Sequence, residues 1–396
     1  MSNRSVFALC VALGTGVTLV IMVLVHAGWT SQMSLPFLSM RESTSQMKGD
    51  SSKQLALKCD PAVMATGPTT PSKPKLMLFH WFPNYFTELK QASGFTFFNT
   101  CESKCEMTID PGRLTEADTV VFYSHYIHAK RHPAPPARAP GQRWVFFALE
   151  PPPLTANTAF ETPNWLGVFN WTMSFRLESE FWIGYVLMTR KANPAPEKKR
   201  SEDVRRWKEK FANKTKLVAW FVSHCGMSSQ REAYVAELSK HIPVDVYGKC
   251  GSLKCDDRGQ CYRMLDREYK FYLAFENSFC RDYVTEKARV ILEMNTLVPV
   301  VRGGADYKRD FAPDSFIDTA DFASSQSLAA YLKQLAADEG EYLKKLQWSW
   351  NYDVTKPGFP LCELCKKMHA THESSCVYKN VMDWWNNGTC HVRKDF

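Results

Sequence analysis

The stretch Tyr269-Lys-Phe-Tyr-Leu-Ala-Phe-Glu-Asn-Ser278, followed by Asp282-Tyr-Val-Thr-Glu-Lys287, decides how this chain is read. Lys270–Phe275 is an apolar, aromatic run of strand length, ending in the polar group Glu276-Asn277-Ser278. A turn then leads into a helix over Tyr283–Asn295, with Glu286 and Lys287 in its first turn. Open α/β sheets bind ligands at the carboxyl ends of their strands, and helix N-termini favour anions. A carboxylate, an amide and a lysine gathered there suit a sugar and a phosphate. A helix cap with a surface ion pair is the alternative.

The same alternation extends outward. Strand-like runs lie at Lys75–Phe82, Thr119–Tyr123, Arg143–Leu149, Leu217–Ser223, Val244–Tyr247 and Leu297–Val301. Helical patterns fall between several of them. Gln230–His241 sets Tyr234, Leu238 and Ile242 four apart on one face, and Ser325–Ala337 is helix-like. Strands alternating with helices imply an α/β protein with parallel sheets. The charged, proline-containing stretch Asn193–Lys216 is the best boundary between two such units.

The chain has 396 residues, 45% hydrophobic and 13% aromatic, which excludes a disordered protein and leaves room for two domains. Its net charge of +8 is modest, and nine of the 49 basic residues crowd into Asn193–Lys216. That is a run, not a basic face, so nucleic-acid binding is not expected. Val6–Val25 is twenty uncharged residues, the length of a membrane-spanning helix. With Arg4 before it and no Lys or Arg until Arg41, it reads as a retained anchor with the body in the lumen. A signal peptide cut near Val25-His26-Ala27 is the alternative. Ser31–Pro74, rich in Ser, Thr, Lys and Pro, reads as a stem. Thirteen cysteines include Cys10 in the apolar span and twelve in the body, an even number suited to disulfides in an oxidising lumen. Sequons at Asn170, Asn213 and Asn387 are candidate glycan sites.

Neither G-x-G-x-x-G nor a P-loop is present, and no Asp-x-Asp occurs. The last absence disfavours a sugar-nucleotide enzyme that holds its donor through a divalent cation. Gly303-Gly304 after a strand either admits a ligand to the backbone or only makes a turn. Cys362-x-x-Cys365 with His369, His372, Cys376 and Cys390 has zinc-like spacing, but disulfides are the expected use in a lumen. His125, His128 and His132 are spaced only loosely for a metal and read as loop or strand-end residues.

The decisive stretch resembles the donor-binding signature of the α1,3-fucosyltransferases. So do four further blocks. These are Gln142-Arg-Trp-Val-Phe-Phe-Ala-Leu-Glu150 before Pro151-Pro-Pro153, and Phe169-Asn-Trp-Thr-Met-Ser-Phe-Arg176. The others are Lys216-Leu-Val-Ala-Trp-Phe-Val-Ser-His-Cys225 and Val244-Asp-Val-Tyr-Gly248. The resemblance covers most of Lys75 to about Asp353.

The resemblance implies a GT-B fold, two Rossmann-like domains facing across a cleft, preceded by one transmembrane helix and a stem. The expected divisions are 1–5 cytosolic tail, 6–25 anchor, 26–74 stem, 75–215 acceptor-side domain, 216–355 GDP-fucose-binding domain and 356–396 Cys-rich segment. It implies an inverting enzyme of the Golgi membrane, type II with a lumenal body. Such an enzyme moves L-fucose from GDP-β-L-fucose to the 3-hydroxyl of GlcNAc. Glu150 matches the family's proposed general base, and Glu276 a carboxylate near the fucose. Lys287 and Arg231 match phosphate-side cations. Asn277, Ser278, Glu286 and Tyr272 are further donor-site candidates. No cofactor is required, because Lys and Arg take the place of a divalent cation. The insert Tyr247–Cys255 and the tail Cys362-Glu-Leu-Cys365 resemble the branch acting on the core GlcNAc of N-glycans, which makes an N-glycan or glycoprotein the acceptor. Aromatic residues near Phe79–Tyr85 and Trp165–Trp171 are acceptor-stacking candidates as well as core. Lewis-type transfer to N-acetyllactosamine is one alternative, and a non-catalytic lumenal carbohydrate-binding protein another.

Overall fold

Seven consecutive residues, Tyr269–Phe275, form a strand buried on both faces, the pattern of a central strand in a parallel sheet. The computed structural model describes residues 57–58, 73–81, 94, 96–156, 158–370 and 376–393. Two parallel sheets organise them. The first has six strands: β1 (Lys75–His80), β2 (Cys105–Thr108), β3 (Thr119–Tyr123), β4 (Arg143–Ala148), β5 (Trp171–Ser174) and β6 (Phe181–Trp182). Their order is β2-β1-β3-β4-β5-β6. The second has five: β7 (Lys216–Phe221), β8 (Val244–Tyr247), β9 (Tyr269–Phe275), β10 (Val298–Arg302) and β11 (Ile317–Asp318), in the order β8-β7-β9-β10-β11. In each sheet the first strand has its successor on one side and a later strand on the other. That reversal lies between β1 and β3, and between β7 and β9.

Alternation along β9 sorts its side chains to two cores. Phe271, Leu273 and Phe275 pack with Tyr234 and Leu238 of α1 (Arg231–Ser239) and Leu328 and Leu332 of Ser325–Ala337. Tyr272 and Ala274 pack with Ala288, Ile291 and Leu292 of α2 (Glu286–Met294). Each large side chain so buried contributes about 1.5–3 kcal/mol.

The helices begin later than the sequence implies. Gln230 takes a left-handed φ of 51°, so α1 starts at Arg231. Asp282 has φ 61° and Thr285 is extended, which delays α2 to Glu286. Most of Asn193–Lys216 is a 17-residue helix, Glu197–Asn213, seated by Trp207 in the core of the second sheet.

The Cys-rich tail returns to the first sheet. Helix Leu361–His369 lays Leu361, Leu364 and Met368 on one face, beside Phe79, Val121 and Phe147. Helix Val381–Asn386 lays Trp384 and Trp385 on the other, beside Phe122 and Phe146. Disulfides Cys101–Cys362 and Cys105–Cys365 fasten the first helix, and Cys280–Cys390 ties the tail to the loop after β9. Cys225–Cys250 and Cys255–Cys261 are also bonded. The C-x-x-C thus bonds to two separate cysteines and not to itself.

Among the described residues no helix is long and apolar enough to cross a membrane; the expected anchor 6–25 lies outside them. Trp165 and Phe169 are buried core residues, so the acceptor-stacking expectation fails for them. Phe79 is buried likewise. Asn170 corrects the glycan expectation. Its Oδ1 accepts the Trp144 N–H at 2.9 Å and its Nδ2 donates to the Cys376 carbonyl at 3.0 Å, inside the core. A buried amide nitrogen so engaged has no room for a sugar. Asn213 and Asn387 are exposed.

Candidate active site

The carboxyl end of β9 brings three candidate residues together with Thr285. Glu276 follows the strand directly and is 1% exposed. Its N–H donates to the Arg302 carbonyl at 2.9 Å, continuing the ladder to β10. Thr285 N–H donates to Oε1 at 2.8 Å, and the Thr285 hydroxyl lies 2.8 Å from Oε2. Lys287 Nζ lies 3.1 Å from Oε2 and donates to Thr285 Oγ1 at 2.7 Å. Glu286, at the first helical position of α2, lies 3.6 Å from the same ammonium.

Burial pushes the Glu276 carboxyl above its ordinary range, and Lys287 and Thr285 pull against it. Burial works against the Lys287 charge too, but Glu276 and Glu286 outweigh it and raise that pKa. Glu286 is held low despite its burial, chiefly by Lys287. The cluster is thus one cation between two carboxylates, at the start of a helix whose N-cap residue, Thr285, makes no side-chain cap bond.

The segments that follow β7 and β9 adjoin it. Arg231 is buried, its guanidinium donating to the Phe275 carbonyl at 2.9 Å and the His224 carbonyl at 2.8 Å. Burial lowers its pKa. Each terminal nitrogen gives one N–H to backbone, because the carbonyls at the end of β9 and beyond β7 need donors. Ser278 Oγ accepts from Ser228 Oγ at 3.2 Å, and the Asn277 carbonyl accepts from Ser229 N–H at 3.2 Å. Ser229 Oγ, Arg231 Nε and Asn277 Oδ1 are buried with no partner. Buried polar atoms are nearly always satisfied, so these unbonded ones, on segments joined by the Ser229–Asn277 bond, set this part of the chain apart.

Tyr272 corrects another expectation. It is buried in the core, edge-on to Phe221 at 5.6 Å, and points to the face opposite the α1 helix. Gly303-Gly304 serves close chain packing. A Cβ on Gly303 would lie 2.4 Å from the Tyr307 hydroxyl, and one on Gly304 2.6 Å from the Cys280 nitrogen.

Glu150 stands at the carboxyl end of β4 in the first sheet, half-buried. Pro151–Pro153 stiffens its exit, with Leu154 N–H closing on the Pro151 carbonyl at 2.8 Å. Tyr283, from the loop before α2, reaches Glu150 with its hydroxyl at 3.5 Å, and Tyr185 donates to the Leu149 carbonyl at 2.8 Å. One loop, residues 280–287, therefore touches both carboxylates. Sequence reasoning gave no role to Tyr283 or Thr285. A threonine just before a helix reads as a cap, and only its hydroxyl partner reveals otherwise.

Comparison of the sequence with known proteins matches it to a family. Residues 71–186 match the model of the "Fucosyltransferase, N-terminal" domain, and residues 211–384 that of "Glycosyltransferase family 10 (fucosyltransferase) C-term". The Drosophila melanogaster α-(1,3)-fucosyltransferase C is 39% identical over 291 residues, 70% of this chain and 67% of that protein. The glycoprotein 3-α-L-fucosyltransferase A of the same organism is 33% identical, over 73% of this chain and 56% of that longer protein. A human 4-galactosyl-N-acetylglucosaminide 3-α-L-fucosyltransferase is 33% identical, over 81% and 85%. A crystal structure of an α1,3-fucosyltransferase with GDP-fucose covers 84% of this chain and 96% of its own, at 17% identity and a TM-score of 0.46. On the two domain models and these relatives, the chain belongs to the α1,3-fucosyltransferase family of glycosyltransferases.

Proposed function

We propose that this protein is an inverting transferase that moves L-fucose from GDP-β-L-fucose to the 3-hydroxyl of GlcNAc. The observation that carries the reading is the anion-ready cluster at the end of β9. There the Lys287 ammonium stands in the first turn of α2, close to the segments that carry Arg231, Asn277 and Ser278. A diphosphate suits that chemistry.

In the reaction the acceptor O3 attacks the anomeric carbon, and the bond from that carbon to the diphosphate oxygen breaks. GDP leaves with the electron pair. The O3 proton passes to Glu150, the general base. Lys287 meets charge on the departing diphosphate, and Glu286 accepts ribose or sugar hydroxyls. Asn277 and Ser278 shape the donor pocket, with Arg231 holding its walls. Glu276 lies beside the fucose and keeps Lys287 charged. The cation work falls to side chains, so no divalent cation is essential.

The arrangement is of GT-B kind, with 75–215 as the acceptor side, 216–355 as the donor side and 356–396 as the closing tail. The acceptor is the core GlcNAc of an N-glycan, a reading supported by the disulfide-bonded insert and tail. Lewis-type transfer is the second reading, favoured by the similarity to an enzyme named for 4-galactosyl-N-acetylglucosaminide. The protein sits in the Golgi membrane through residues 6–25, body in the lumen.

The test pairs GDP titration calorimetry with initial rates on a panel of N-glycans and N-acetyllactosamine. Glu150→Gln is expected to cut kcat at least ~100-fold with GDP affinity barely changed. Lys287→Ala weakens GDP binding as well as turnover. Near wild-type transfer by Glu150→Gln places the base elsewhere, and normal GDP binding by Lys287→Ala removes the diphosphate from α2.

A further inference from the structure

Thr285 occupies the N-cap of α2, where a threonine hydroxyl ordinarily accepts an N–H from the first turn. Here it makes no such bond. Its oxygen instead accepts from Lys287 Nζ at 2.7 Å, and its proton is shared within reach of Glu276 Oε1 at 3.0 Å and Oε2 at 2.8 Å. Its backbone N–H also goes to Glu276. A residue that abandons its local role for a buried ion pair marks a functional constraint.

Counting protons sharpens the point. An ammonium has three donors. One faces Glu276 and one Thr285, while Glu286 at 3.6 Å is beyond hydrogen-bond range. The third is left on the side of Glu286, which pairs with the ammonium only at that longer distance, and the Lys287 side chain keeps 20% of its surface open. Two fixed bonds orient that third N–H.

We propose that Thr285 is a positioning residue: its hydroxyl locks the Glu276–Lys287 pair so that one Lys287 N–H is aimed at the donor diphosphate. The inference rests on the donor-site reading above. Valine has the shape of threonine but neither donates nor accepts. In Thr285→Val, Glu276 loses a donor and Lys287 an acceptor, while the backbone bond stays. The ammonium then swings among Glu276, Glu286 and solvent, and the diphosphate meets an unfixed charge.

Other charged or titratable groups face Glu276. They are Lys287 and Glu286 of α2, Arg231 of α1, and the hydroxyls of Tyr185, Tyr283 and Tyr307. Lys287 and the Thr285 bonds favour the ionised carboxylate, and burial and Glu286 oppose it. Loss of the hydroxyl therefore raises the pH at which Glu276 takes up a proton. The acid limb of the rate profile moves to higher pH.

The experiment measures GDP affinity, kcat against pH and melting temperature for the full-length protein, Thr285→Val, Thr285→Ala and Thr285→Ser. Thr285→Val and Thr285→Ala are expected to lose at least ~10-fold in both GDP affinity and kcat, the scale of a hydrogen bond to a charged group. Their acid limb shifts upward, and Thr285→Ser restores wild-type values. If Thr285→Val does not fold, Thr285→Ala must show the loss. Wild-type affinity and an unmoved pH profile in either folded variant overturn the inference while leaving the donor site standing. A Thr285→Ser variant as impaired as Thr285→Ala overturns it as well. A wild-type protein that does not bind GDP overturns the donor-site reading and this inference together.

Discussion

The Tyr283 hydroxyl meets the Glu150 carboxylate at 3.5 Å, joining the loop after β9 to the strand end of β4 across 133 positions of sequence. Tyr283 is fully buried, its ring 4.8 Å from Phe175 and edge-on to Tyr185 at 6.3 Å, so the hydroxyl has little freedom to turn elsewhere. The same loop fixes Glu276 through Thr285. Asp282 adds a brace, accepting from Leu177 N–H at 3.2 Å and Arg309 at 2.8 Å.

Removing that hydroxyl tests whether the loop orients Glu150. Tyr283→Phe keeps the ring packing and loses only the contact. We expect kcat to fall about three- to tenfold, in keeping with one long hydrogen bond to a charged group, with GDP affinity unchanged. Initial rates and calorimetry decide it. A kcat equal to wild type takes Tyr283 out of the chemistry.

Chelation tests the account of charge. With no Asp-x-Asp in the chain and Lys287 at the proposed diphosphate, EDTA should leave a large part of the transfer rate. Near-complete loss, restored by Mn²⁺, would falsify the assignment of the cation's work to side chains. Mere stimulation by metal leaves it intact.

Glycopeptide mass spectrometry of the protein expressed through a eukaryotic secretory pathway should find Asn170 unmodified, whatever the occupancy of Asn213 and Asn387. Asn170 joins Trp144, Arg138 and the tail carbonyl of Cys376 in the core. Asn170→Ala should destabilise by about 1–3 kcal/mol, since buried groups lose their partner. A glycan on Asn170 in folded, active protein contradicts the packing described.

His80 gives a pH dependence with a definite sign. Burial, aided by His132, lowers its pKa to about 4 from an ordinary 6.5. The unfolded chain therefore takes up a proton between those values that the folded chain refuses. Stability contributed by the neutral ring is full above pH 6.5 and drains as pH falls toward 4. His80→Leu should flatten this part of the melting curve relative to wild type, because Nδ1 has no partner to lose. Parallel slopes of melting temperature against pH in the two proteins would show that His80 titrates normally.

Periodicity and polar punctuation in the sequence determined seven of the eleven strands in the two parallel sheets and three helices, α1, α2 and Ser325–Ala337, but not Glu197–Asn213 or the helices of the tail. They also placed Glu276, Asn277 and Ser278 at a strand end and Glu286 with Lys287 at a helix start. Those features are local: the strand, the turn and the first helical turn lie within nineteen residues, Tyr269 to Lys287. Only the tertiary structure decided the partners. The tail's return to both faces of the first sheet, the buried fate of Asn170 and the Tyr283–Glu150 contact each join residues more than a hundred positions apart, or close to it. Apolar pattern says which side chains turn inward but carries no address for the surface they meet. Arg231 and Thr285 show the same limit at short range. An arginine at a helix start looks ready for phosphate, and a threonine before a helix looks like a cap. Which partners lie within 3 Å of each, two carbonyls in one case and an ion pair in the other, is set by how β7, β9 and α2 close together.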